Sequence, residues 1–158
     1  MAHDVPRPRE SEILTYMAAQ HGADVALEGL TRAINALPEV GISVTLLVGG
    51  VVVSGTIEGG EPWFEAQRAA VEAGHAGFGE MFDPIIEQYR DGRESEQATL
   101  ADDRDDEDRE RTITAYVHLR DVRLWSPGGG YLNVSGGMRW RCRLAAVDGW
   151  MLGSFSEG

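Results

Sequence analysis

The residues best placed to do chemistry are charged and lie in two blocks of opposite sign. Arg139, Arg141 and Arg143 occupy alternate positions, so an extended strand places all three guanidiniums on one face. Such a ladder can hold an anion, an acidic partner or an acidic stretch of its own chain; equally, it can solvate a sheet edge. The opposite charge is concentrated from Asp91 to Arg111, where ten carboxylates stand against four arginines, half of a net charge of −12. Asp102, Asp103, Asp105, Asp106 and Asp108 form its densest part. Trp140 and Trp150, with Trp125 and Tyr131, gather around the last strands, as core packing or as interface aromatics.

Other chemistries find no support in the spacing. The phosphate-binding GxxxxGK[ST] loop is impossible in a chain without lysine, and no GxGxxG follows a strand. His3, His21, His75 and His118 are scattered, with no metal-ligand spacing, and His118 reads as an outward or hydrogen-bonded strand residue. The acidic run lacks the central glycine and terminal glutamate of a calcium-binding loop. Ser135 lacks the first glycine of a nucleophile elbow, and Cys142, with no histidine near it in sequence, reads as an inert inward residue. The expectation is a protein with no catalytic residue, cofactor or metal.

Composition narrows the class. At 158 residues the chain fits one domain with a core of useful size. Strong acidity disfavours nucleic acid, because phosphate binding depends on cations that displace counterions. A single cysteine excludes an internal disulfide and suits a reducing compartment. The start, MAHDVPRPRE, has no apolar signal-peptide core, and no apolar run approaches the roughly 20 residues of a membrane span. The chain is therefore expected to be cytoplasmic, with no membrane partner.

The elements that must position these residues are mostly strands. Val44–Ile57 reads as two β-rich arms around Gly49-Gly50, a turn that needs positive φ, and residues 42–60 form the first hairpin. Thr112–Trp125 alternates with a kink at Asp121 that turns Val117, Leu119, Val122 and Leu124 inward. Pro127–Gly130 reads as a flexible loop. Arg139–Val147 alternates cleanly, Trp140, Cys142, Leu144 and Ala146 opposing the arginines, and Asp148-Gly149 signals a second hairpin. About five strands in meander order predict a small closed or nearly closed antiparallel barrel. Around it, residues 1–10 read as a disordered lead and 11–37 as helical, with Leu27, Leu30, Ile34 and Leu37 on one face and Asp24 a candidate N-cap. Residues 61–90 read as helix, glycine-rich turn and helix, and 91–111 as a disordered acidic loop. Residues 112–158 supply the remaining strands, so that 11–158 make a single α+β domain.

Three segments together resemble the gas vesicle accessory protein U family: the hairpin VTLLVGGVVVSGTIEG, the strand VHLRDVRLW and the terminal WRCRLAAVDGWMLGS. The resemblance covers about residues 40–65 and 112–155, and the terminal motif is its most specific part. The strand order behind a leading helix is also similar to an Sm-like five-stranded barrel. The family resemblance implies a non-enzymatic cytoplasmic accessory protein associated with gas vesicles. Its implied partners are further copies of itself, in an oligomer or condensed assembly, and the vesicle shell or other gas vesicle proteins. The Sm-like resemblance implies an alternative, a ring that binds single-stranded RNA. On the first reading the interaction residues are Arg139, Arg141, Arg143, Trp140, Trp150 and the five aspartates named above. The ring edge falls at Arg139–Val147 or near Gly153–Phe155.

Overall fold

The computed structural model describes residues 22–101, 114–128, 130–133 and 137–154. Helix α1 (Val25–Ala36) is followed by β1 (Ile42–Val48) and β2 (Val51–Glu58). A helical hairpin comes next, α2 (Gly60–Gly74) and α3 (Asp83–Ala101), joined through a 3-10 turn at Gly79–Phe82. Strands β3 (Tyr116–Ser126), β4 (Gly130–Asn133), β5 (Trp140–Arg143) and β6 (Gly149–Leu152) complete the chain. The class is α+β, as the sequence predicts.

The first hairpin forms where Gly49 and Gly50 allow it, with φ of 56° and 81°, and the strands pair from Ile42↔Ile57 to Val48↔Val51. Along β3 the alternation slips once. Asp121 takes φ 53°, the register shifts between Ser54 and Thr56, and both Leu119 and Val122 thereby face the core. Gly55 opposite is obligatory, since a Cβ there would sit 2.9 Å from the Arg120 carbonyl oxygen.

Five expectations are corrected. The sheet runs β4-β3-β2-β1-β6, with β5 also on β3, and it does not close into an Sm-like barrel. The Asp148-Gly149 signal does not make a hairpin, because β5 pairs β3 whereas β6 pairs β1 at the far side. The strand from Arg139 stops at Arg143, and a 3-10 turn (Leu144–Ala146) carries the chain across the end of the core. Leu144, buried there, and the Asp148 carboxylate, which accepts from Gly49 N at 2.9 Å, fix that crossing. A sixth strand, β4, also pairs β3 from Arg123↔Asn133 to Ser126↔Gly130, just after the turn read as a flexible loop. Lastly, helix α3 continues through residues 91–101, where a disordered loop was expected to begin. Its polar surface is held by long-range contacts: Arg93 and Arg90 both bind Glu61, and Gln97 donates to the Ala36 carbonyl. Residues 1–21 and 102–113 lie outside the described part, and with them the lead and the rest of the acidic stretch.

The core lies on the inner sheet face. Leu27 and Ile34 of α1 pack there with Val44, Leu46, Val53, Ile57, Val117, Leu119, Val122 and Leu144. Asp24 caps α1 as expected, its carboxylate accepting from Leu27 N at 2.9 Å. The helical hairpin covers part of the outer face, and its first turn meets α3 without clearance. A Cβ on Gly60 would enter the Tyr89 ring. Gly74, at the end of α2, has open space around it. We expect Gly60→Ala to lower the urea midpoint by the equivalent of about 1–3 kcal/mol through overpacking. Gly74→Ala should hold it or raise it by up to about 1 kcal/mol.

Candidate interaction site

Strand β5 places its two faces in different surroundings. Trp140 and Cys142 turn inward and pack against the core, and Trp150 of β6 does the same from the other side. The sequence-predicted tryptophans are thus core-facing, and burial pushes the Cys142 thiol up to about 11, away from nucleophilic use. The arginines turn outward as expected, but they do not form a free ladder.

Each arginine meets something different. Arg139 Nε binds Glu58 Oε1 at 2.8 Å, and the Glu58 side chain is only 8% exposed. Arg141 lies beside His118, its register partner, and donates from Nε to His118 Nε2 at 3.0 Å. Its guanidinium carbon sits 3.5 Å from the Tyr116 ring centroid and 5.3 Å from that of Phe64. Arg143 is exposed. The aspartates at 102, 103, 105, 106 and 108 fall outside the described residues, so their relation to the ladder stays a matter of sequence.

His118 is the centre of this arrangement. It is fully buried, with the rings of Trp63, Phe64 and Tyr89 between 5.2 and 5.6 Å away. An arginine can only donate, so Nε2 must accept and the imidazole is neutral with its proton on Nδ1. That Nδ1 and the indole Nε1 of Trp63 have no hydrogen-bond acceptor among the described residues. Burial, reinforced by the positive charge of Arg141, pushes the His118 pKa down to about 3. Burial raises the Tyr89 phenol, against a hydrogen bond from Arg141 that lowers it. No group of histidine, cysteine, aspartate or glutamate among the described residues is arranged to hold a metal ion.

Sequence reasoning missed this polar layer, although its signals were present. Glu58, Tyr116 and His118 all fall on outward positions of β2 and β3, and Trp63, Phe64 and Tyr89 are apolar residues of the insertion that need cover. What the layer does is join sheet and hairpin through charge and aromatic contact.

A family model described as gas vesicle protein GvpU-like matches residues 24–155. No curated protein and no solved structure matches the chain. The matched span runs from the N-cap of α1 past the end of β6, so it takes in the whole described fold.

Two outcomes test the site. Arg139→Ala leaves a buried carboxylate without its partner and should cost about 1–3 kcal/mol in denaturant unfolding. Arg143→Ala should stay within about 0.5 kcal/mol of the parent. For His118, the folded pKa lies below the unfolded value of about 6.5. Its contribution to stability is therefore complete above pH ~6.5 and is lost as pH falls toward about 3. In 15N-detected imidazole spectra, His118 should hold one tautomer, protonated on Nδ1, from pH 8 to about pH 5. Titration near neutrality would contradict this burial.

Proposed function

This chain belongs to the gas vesicle protein GvpU-like family, matched over residues 24–155, and from that membership we propose a regulator of vesicle assembly or clustering. It acts without catalysis, by associating with its own copies and by contacting the vesicle surface. The observation that carries this reading is the extent of the family match, which covers the folded unit end to end and not an appended segment.

The charge pattern supplies a compatible mechanism. Arg143 and the part-exposed Arg120 present positive charge on the sheet side. The stretch from Asp102 to Arg111 carries seven carboxylates and three arginines. Contacts between one copy's carboxylates and another's arginines are individually weak, and many together give avidity. Met151 and Leu152 add apolar surface on β6, a strand paired on one side only among the described residues. The RNA-binding alternative asks for arginines and aromatics offered together. Arg139 and Arg141 are instead engaged within the fold, and Trp140 and Trp150 pack on the core.

Sedimentation and turbidity of the purified protein test the mechanism. Changing Asp102, Asp103, Asp105, Asp106 and Asp108 to asparagine should raise the concentration needed for self-association. So should salt near 0.5 M, which shortens the screening length to roughly 4 Å. An onset unmoved by either change would leave charge without a role.

A further inference from the structure

The turn between α2 and α3 holds two large apolar side chains out in solvent, Phe78 at 63% and Met81 at 67% exposure. Solvent-exposed apolar residues on a loop are ordinary when the loop can fold them away. This loop cannot. The Glu72 carboxylate accepts from Gly77 N at 2.9 and 3.1 Å and from Gly79 N at 2.9 Å, so both glycines flanking Phe78 are tied to α2. Those backbone hydrogen bonds, that from Gly77 foremost, hold the Glu72 carboxyl below its ordinary pKa and therefore charged. Gly79 packs so closely that a Cβ would lie 2.8 Å from Glu72 Oε2 and 3.1 Å from the Arg68 carbonyl oxygen. On the far side of the turn, Phe82 reaches back to Phe64, 6.1 Å between ring centroids, and Arg68 binds Asp83 at 2.6 Å. The turn is clamped at both ends, with Phe82 folded inward while Phe78, edge-on to His75 at 6.0 Å between ring centroids, and Met81 stay in solvent.

A rigid, solvent-facing pair of phenylalanine and methionine is the composition of an interface anchor, since ordering cost is already met before contact. Its surroundings identify the partner's chemistry. At the turn itself three carboxylates, Glu72, Glu80 and Asp83, surround the single Arg68. An anionic lipid surface or a nucleic acid would be repelled by that rim. We propose that Phe78 and Met81 form a docking knob that seats in an apolar socket with a cationic rim on a protein of the gas vesicle. This rests on the functional reading above and adds to it the surface that makes the vesicle contact.

Flotation tests it directly. Intact gas vesicles purified from cells lacking this protein serve as the probe, and co-flotation of the full chain is the readout. Wild type should float with the vesicles, more weakly as salt rises. Phe78→Ser with Met81→Ser should weaken apparent affinity about tenfold or more, with an unchanged circular dichroism spectrum and unfolding midpoint. Glu72→Ala, which releases the turn but keeps both side chains, should weaken binding in the same direction. So should Glu80→Arg, which reverses charge on the rim. Co-flotation of the Phe78/Met81 double variant equal to wild type overturns the knob and leaves the functional reading standing. Failure of wild type itself to float overturns both. Loss of self-association with vesicle binding intact would assign the knob to a second copy and likewise overturn this proposal, as would tighter binding by Glu80→Arg.

Discussion

The fold turns on how a buried carboxylate and a buried imidazole are accommodated between a sheet and a helical hairpin. Glu58 and His118 sit side by side in register on the outer face of β2 and β3. Burying a charge without a partner costs several kcal/mol, and burying an unpaired polar ring costs less but still counts. Strand β5 resolves both by bringing Arg139 to one and Arg141 to the other. The aromatic rings of Trp63, Phe64 and Tyr89 then close over His118 from the hairpin. Without β5 in that position, α2 and α3 would lie on an unmatched polar surface, and the terminal crossing through Leu144 to β6 would lose its starting point.

This constraint explains which parts of the fold were legible in the sequence. Local signals held where one residue decides the conformation. Gly49-Gly50 made its turn and Asp121 its kink by backbone geometry, and Asp24 its cap by a side-chain hydrogen bond three residues away. Signals failed where the outcome depends on a distant partner. The Asp148-Gly149 pair looks like a hairpin turn, yet Asp148 binds Gly49 and β6 joins β1, a pairing no local pattern encodes. Residues 91–101 look too polar to order, and they are ordered because Glu61 and the end of α1 receive Arg93 and Gln97. The arginine ladder was visible, and its outward direction was right. What could not be read was that two of its rungs have intramolecular partners on β2 and β3.

That division bears on how the protein can attract its neighbours. Arg139 and Arg141 are tied to partners within the fold, Arg139 to the buried Glu58 and Arg141 to His118, so part of their charge is taken up by intramolecular contacts. The positive surface that remains comes from residues such as Arg143, and Arg120 shares its charge with Asp121 at 2.9 Å. Any single contact with a carboxylate of another copy is therefore solvent-exposed, screened and worth at most about 1 kcal/mol. On the proposed reading such contacts would suit a protein that gathers vesicles, because many of them form and break without a slow step.

The helical hairpin has a different character. Its inner face is committed to His118 through tightly packed rings, and its far end is clamped by Glu72 and by the Arg68–Asp83 pair. A lever fixed at its base and rigid at its tip transmits position well, so apolar side chains at that tip present one defined shape. Charge contacts between copies and a shaped apolar contact at the hairpin tip differ in kind: the first is sensitive to salt and tolerant of geometry, the second selective for shape. The two proposed contacts would arise from different places, one from the sheet side and the other from the end of the insertion, so neither would obstruct the other. A chain with both can hold a single defined site while associating loosely with many neighbours, which is the physical requirement for gathering large particles without fusing them.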